Sequence, residues 1–164
     1  MKQIELKYVN KSPNEDPKYN KPGDSGFDLR TWLNEDTKVL IREDGEKKYI
    51  ILAPLERVLI HTGLYFDLPE GAEVQVRPRS GMALKRGLSV LNTPGTVDPN
   101  YTGEICVIAV NISNKNIVIE DGERIAQAVV CPSFGAWATD LLKINEIAKI
   151  TERGSDGFNS TGSK

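Results

Sequence analysis

Apolar residues along this chain recur in short runs of alternating or continuous character, and helical periodicity is scarce. IELKYV (4–9) and AEVQVR (72–77) alternate apolar with polar positions, the signature of strands with one buried face. FDLR (27–30), KVLI (38–41), LSVLN (88–92), EICVIAVN (104–111), NIVIE (116–120) and RIAQAVVC (124–131) read as further strands. ERVLIHTGLYFDL (56–68) is a long run broken at Gly63, and Asp44-Gly45 marks a hairpin turn before a strand around 47–53. Short strands separated by Gly and Pro predict an all-β sandwich or barrel. Two stretches carry helical character: SGMALKRG (80–87), long enough for a turn or two, and LLKINEIAK (141–149), which alternates as well as it spirals. The last twelve residues, RGSDGFNSTGSK, are too polar and glycine-rich to build a core.

Composition narrows this picture without changing it. The 164 residues fit one domain, and the 39% hydrophobic and 27% charged content is that of a soluble globular protein. A net charge of -2 gives no basic field for nucleic acid. MKQIELKYV is not a secretory signal, and no window approaches a membrane span. Cys106 and Cys131 sit in apolar runs and read as buried free thiols, which suits a reducing cytoplasm.

The same composition removes whole classes of chemistry. His61 is the lone histidine, and it lies on an alternating strand where a packed side chain is the ordinary outcome. There is no C-x-x-C pair, no nucleophile elbow, no P-loop and no G-x-G-x-x-G after a strand. An enzyme of this composition must use carboxylates, arginines and a bound ion.

Four stretches combine special backbone with polar chemistry, and each has a plainer reading. In DSGFDLR (24–30), Asp28 sits in a strand, where Asp is depleted; it is either a turn or edge residue or a functional carboxylate. In RPRSGMALKRG (77–87), Ser80 reads as an N-cap, and Arg79, Ser80 and Gly81 make either a capped turn or an anion cradle. In LNTPGTVDPNYTGEI (91–105), Asp98 follows the apolar Val97; D-P-N-Y is either a type I turn or the seat of a general base. The tail is either a frayed end or a closing segment in which Arg153 reaches a phosphate and Phe158 stacks on a planar ring.

In order, these stretches resemble the motif series of the homotrimeric dUTP pyrophosphatases, the trimeric dUTPases. Ser25-Gly26-Phe27-Asp28-Leu29 resembles A-G-x-D-L, and Pro78-Arg79-Ser80-Gly81-Met82-Ala83 resembles P-R-S-G-L-A. Asn92, Gly95, Val97, Asp98, Tyr101 and Gly103 are similar to N-x-x-G-x-I-D-x-x-Y-x-G. Gly122 to Gln127 resembles G-x-R-I-A-Q, and Arg153 to Gly162 resembles R-G-x-G-G-F-G-S-T-G. The resemblance implies a jelly-roll-like β fold with one short helix over 1–152 and a flexible lid over 153–164. It implies a homotrimer with sites at subunit boundaries and Mg²⁺-assisted hydrolysis of dUTP to dUMP and pyrophosphate.

Residue by residue, it implies that Asp98 activates water and that Asp28 lies near the metal. Asn92, with the backbone of Gly95, Thr96, Val97 and Cys106, would read uracil, and Tyr101 would pack on deoxyribose. Arg79, Ser80, Gly81 and Gln127 would hold phosphates. Arg153, Phe158, Ser160 and Thr161 would close over the nucleotide.

Some positions depart from the pattern. Asp156 and Asn159 replace glycines, Ser25 replaces Ala, and Thr96 stands where a larger apolar residue is usual. A rival of the same fold, dCTP deaminase, carries a catalytic Glu where this chain has Ile108. A rival of another class is a nucleotide-controlled protein-binding module, with the hairpin at Asp44-Gly45 as its surface.

Overall fold

The structure, a computed structural model, describes residues 4–45, 47–147 and 151. Eleven strands and two short helices follow one another among the described residues. They are β1 (Lys7–Asn10), β2 (Phe27–Arg30), β3 (Arg42–Asp44), β4 (Lys47–Leu52), β5 (Arg57–Asp67), β6 (Ala72–Pro78), α1 (Ser80–Arg86), β7 (Leu88–Val90), β8 (Gly95–Val97), β9 (Glu104–Asn111), β10 (Ile117–Glu120), β11 (Arg124–Pro132) and α2 (Gly135–Ala138). The all-β expectation holds.

The strands form three antiparallel sheets, ordered β1-β5-β9-β7, β10-β4-β3 and β2-β11-β6-β8, and none of them closes into a barrel. Alternation does the sorting. Ala72, Val74 and Val76 of β6 point inward, while Glu73, Gln75 and Arg77 point out. Ile105, Val107 and Ala109 of β9 do the same, and side chains from all three sheets meet in one cluster. Leu29, Ile50, Ile60, Val74 and Ile119 are wholly buried there. Burying a side chain of this size contributes ~1.5–3 kcal/mol each.

Several local expectations need correction. The run 56–68 is not broken at Gly63: β5 continues through it by a bulge, with the register against β9 shifting between His61 and Tyr65. Gly63 sits at φ +72°, and a Cβ there would run into the Ser12 backbone nitrogen at 2.6 Å. KVLI forms no strand; Val39 and Ile41 pack on the core from a loop. β1 is a strand, but Lys7, Tyr8 and Val9 are all exposed, so its alternation does not mark a buried face. Residues 141–147 are neither helix nor strand, and Leu141 and Leu142 are 97% and 84% exposed. Residues 148 and 149 lie outside the described residues. The four-residue α2 was not anticipated.

α1 is the predicted short helix, with its cap displaced by one residue. Arg79 occupies the N-cap position, without a side-chain cap bond, and Ser80 is the first helical residue. The helix ends at Gly87, φ +70°, whose N–H reaches the carbonyls of Ala83 and Met82. Among the described residues no helix is long and apolar enough to cross a membrane.

Candidate active site

The polar cluster is organised by β11, which pairs on one side with β2 and on the other with β6. Gln127 is the register partner of both Asp28 and Arg77, so motifs far apart in sequence stand in one row. Asp28 explains itself here. Its Oδ1 lies 2.7 Å from Arg79 Nε and its Oδ2 lies 3.1 Å from Arg124 Nη1. Asn20 Nδ2 approaches the same Oδ2 at 3.4 Å. The Asp28 side chain is only 17% exposed.

Arg79 Nη1 also donates to the Arg124 carbonyl at 3.1 Å, and Gln127 Nε2 donates to the Pro78 carbonyl at 3.0 Å. Two guanidiniums against one carboxylate leave one positive charge in excess. Ser80 and Gly81 open α1 beside them, where backbone N–H groups have no preceding turn to bond. A Cβ on Gly81 would meet nothing within 4 Å, so the backbone there is open to approach. Such an arrangement suits a polyanion.

A second group lies on the segment from β7 to β9. The chain leaves β7, passes a cis Thr93-Pro94 peptide and enters β8. Asn92 is exposed, and buried Gly95 lets its amide lie close: a Cβ on Gly95 would sit 3.1 Å from Asn92 Nδ2. Thr96 faces outward, while Val97 enters the core. Asp98 then opens a turn, its carbonyl accepting from the Tyr101 N–H at 3.0 Å. The turn reading is therefore right, and it leaves the carboxylate available. Asp98 is exposed and, among the described residues, its carboxylate makes no hydrogen bond or ion pair.

Tyr101 is held from two directions. Its hydroxyl donates to the Glu104 carbonyl at 2.9 Å, and its ring lies over Gly103. A Cβ on Gly103 would stand 2.5 Å from Tyr101 Oη and 2.6 Å from Cζ. The ring must swing aside to admit it, a movement that costs the fold little. Gly103→Ala should therefore keep the melting temperature near wild type. If Tyr101 abuts the sugar, discrimination between a deoxyribonucleotide and its ribo counterpart should fall about tenfold. Steady-state rates on the two nucleotides check this; an unchanged ratio would detach Tyr101 from sugar selection.

Cys106 lies on β9 opposite His61. Neither cysteine is fully buried as anticipated; both are free and half-buried. Burial, helped by the Glu104 carboxylate, pushes the Cys106 thiol up from 9.0 to about 11. A raised acid is protonated in the folded chain after the unfolded chain has ionised, so its contribution is complete below about 9 and is lost as pH climbs through about 11. Thermal melts over that window should fall more steeply for the wild type than for Cys106→Ser. Parallel curves would mean that the thiol is solvated.

Among the described residues, no hydrogen bond or ion pair joins Asp98 or Tyr101 to Asp28, Arg79 or Gln127. Along the sheet the two groups lie toward opposite ends of β6: Val97, just before Asp98, pairs with Val74, while the cluster gathers at Arg77 to Arg79. Arg153, Phe158, Ser160 and Thr161 lie outside the described residues. Two residues escaped individual notice in the sequence. Arg124 sat inside a recognised motif without a role, and Glu104 carried no pattern of its own.

Comparison with known proteins decides the family. The dUTPase family model matches residues 46–162. The chain belongs to the dUTPase family. A deoxyuridine 5'-triphosphate nucleotidohydrolase of Treponema denticola is 47% identical over 146 residues, covering 89% of this chain and 90% of its own. One from Fusobacterium nucleatum is 42% identical over 162 residues and covers 99% of both. Among solved structures, a Staphylococcus bacteriophage 80alpha dUTPase mutant with dUpNHpp superposes with a TM-score of 0.75 at 25% identity, over 96% of this chain and 98% of that one. The native EIAV dUTPase gives 0.65 at 26% identity, over 87% of this chain and 100% of its own. The sequence and the shape thus point to the same dUTPase fold.

Proposed function

We propose that this chain hydrolyses dUTP to dUMP and pyrophosphate. The observation that carries the reading is the division of the site: a cationic cluster of Arg79, Arg124 and Gln127 around Asp28, and an unpartnered Asp98 carboxylate in the turn that follows β8. Membership of the dUTPase family supports it.

Arg79, Gln127 and the backbone of Ser80 and Gly81 hold the triphosphate and neutralise its charge. Asp98 takes a proton from the attacking water as its oxygen bonds to the α-phosphorus; the bridging P–O bond breaks, and pyrophosphate leaves with that electron pair. Asn92 and the backbone of Gly95, Thr96, Val97 and Cys106 read the uracil edge. Tyr101 closes the space a 2′-hydroxyl would need. Arg153, Phe158, Ser160 and Thr161, in the segment 153–164, serve as a lid that excludes bulk water.

The donor set fits Mg²⁺ arriving with the nucleotide. Mg²⁺ prefers oxygen ligands and keeps several waters, and Asp28 is the carboxylate of the cluster, its oxygens engaged by guanidiniums. Asp28 would hold the ion through water, and the ion would neutralise phosphate charge. The working unit is a homotrimer in which one chain supplies the phosphate cluster and a neighbour supplies Asp98. The exposed Phe134, Leu141, Leu142, Ile144 and Ile147 support association, since a lone chain leaves this apolar stretch in water. The enzyme works in the cytoplasm, in keeping with its two free thiols. A net charge of -2 argues against nucleic acid as a partner.

Pyrophosphate release from dUTP, dCTP, dTTP and UTP, measured side by side with Mg²⁺, tests the proposal. Release from dUTP alone is expected. Ammonia release from dCTP would favour a deaminase, which Ile108 speaks against. No release from any nucleotide by folded trimer would overturn the reading.

A further inference from the structure

Away from the phosphate cluster, the outer face of the β5–β9 pair gathers an imidazole, a carboxylate and a thiol. His61 and Cys106 are register partners across the two strands, and Glu104 lies two residues before Cys106, on the same face. His61 Nδ1 stands 2.8 Å from Glu104 Oε2 and 3.8 Å from Cys106 Sγ. One ligand atom from each of the three residues falls within 4.8 Å of the others. Around a tetrahedral ion with bonds of roughly 2.0–2.3 Å, ligand atoms stand roughly 3.3–3.8 Å apart. Small side-chain adjustments bring this trio to that spacing.

The carboxylate is fixed before any ion arrives. Glu104 Oε1 accepts from the N–H of Thr62 at 3.1 Å and of Gly63 at 2.7 Å, both presented by the β5 bulge. That leaves Oε2 turned toward the histidine. The His61 and Glu104 side chains are only 15% and 16% exposed, so both are held largely out of bulk solvent. A plain His–Glu hydrogen bond accounts for two of these groups. It gives no reason for a thiol directed at the same ring nitrogen.

We propose that His61, Glu104 and Cys106 form a site for a divalent transition metal of the zinc type, with water as the fourth ligand. Imidazole, thiolate and carboxylate together are a zinc-type ligand set, whereas Mg²⁺ takes oxygen ligands. Binding balances without redox change. The Cys106 proton is released to solvent, the Nδ1 proton of His61 is replaced by one on Nε2, and Glu104 Oε2 exchanges its hydrogen bond for the ion. The ligand here is the Cys106 side chain, whereas the uracil reading uses its backbone, so metal binding is read without nucleotide.

The test uses the full chain, reduced and chelator-treated, without nucleotide or Mg²⁺. Cobalt(II) should give a thiolate-to-cobalt absorption band that saturates at one equivalent per chain and is displaced by Zn²⁺. Cys106→Ser should abolish the band, Cys131→Ser should keep it, and His61→Asn should weaken binding by about tenfold or more. No band in the wild type, or a band that survives Cys106→Ser, overturns the proposal. Circular dichroism reports whether each variant folds. Should Cys106→Ser not fold, the wild type decides. Zn²⁺ should shield Cys106 but not Cys131 from alkylation in alkaline buffer, read by peptide mass spectrometry. Equal labelling with and without Zn²⁺ overturns it.

Discussion

Asp98→Asn is expected to lower kcat by about 10²–10⁴-fold while leaving dUTP affinity within a few-fold of wild type. The amide keeps the size and turn geometry of the carboxylate but cannot accept a proton from water. Because the Asp98 carboxylate bonds to no other described residue, its loss removes chemistry and not structure. Single-turnover rates and equilibrium binding separate the two effects. Turnover close to wild type would exclude Asp98 as the base. A matching loss of binding would instead assign it to holding substrate.

The second large effect is expected at Arg79. Arg79→Ala removes a planar donor aimed at the phosphates, and loss of one such donor costs about 10²–10³-fold in rate. Arg79→Lys restores the charge but not the fork, so only part of the activity should return. Stability should change little, because Arg124 still holds Asp28 at 3.1 Å and the ion pair is partly solvated. A value of kcat/KM within a few-fold of wild type would remove Arg79 from phosphate binding. The two variants also test the assembly. If Asp98 and Arg79 of different chains share a site, mixing Asp98→Asn with Arg79→Ala chains under subunit exchange should restore part of the activity. No recovery despite exchange would place both residues in a site made by one chain.

Much of the sheet was legible because alternation has a single physical cause, the burial of one face. Residues 72–77 and 104–109 obey it, and Asp44-Gly45 turns between β3 and β4 as a hairpin should. The failures lie where burial is not local. Gly63 looked like a break, yet bulge geometry lets β5 run on. KVLI has strand composition but packs from a loop, and the apolar residues of 141–147 join no core among the described residues.

The site was legible as residue types rather than as partnerships. Asp28, Arg79, Asp98 and Gln127 stood out for their chemistry beside Gly and Pro. That Asp28 meets Arg124, 96 residues away, depends on strand register, which no local pattern encodes. The cap of α1 was misplaced by one residue because Ser80 has a capping side chain, while Pro78 and Arg79 already carry the chain into the helix.

β11 is read on both edges at once, by β2 through Asp28 and by β6 through Arg77. A one-residue insertion anywhere in Ala126–Cys131 would flip the following side chains to the opposite face and split a motif from its partners. The loops at 34–41 and 112–116 carry no such double reading. A change of length there displaces local contacts such as Val39 and Ile41 on the core, whereas the spacing within β11 is a reading frame shared by two neighbours.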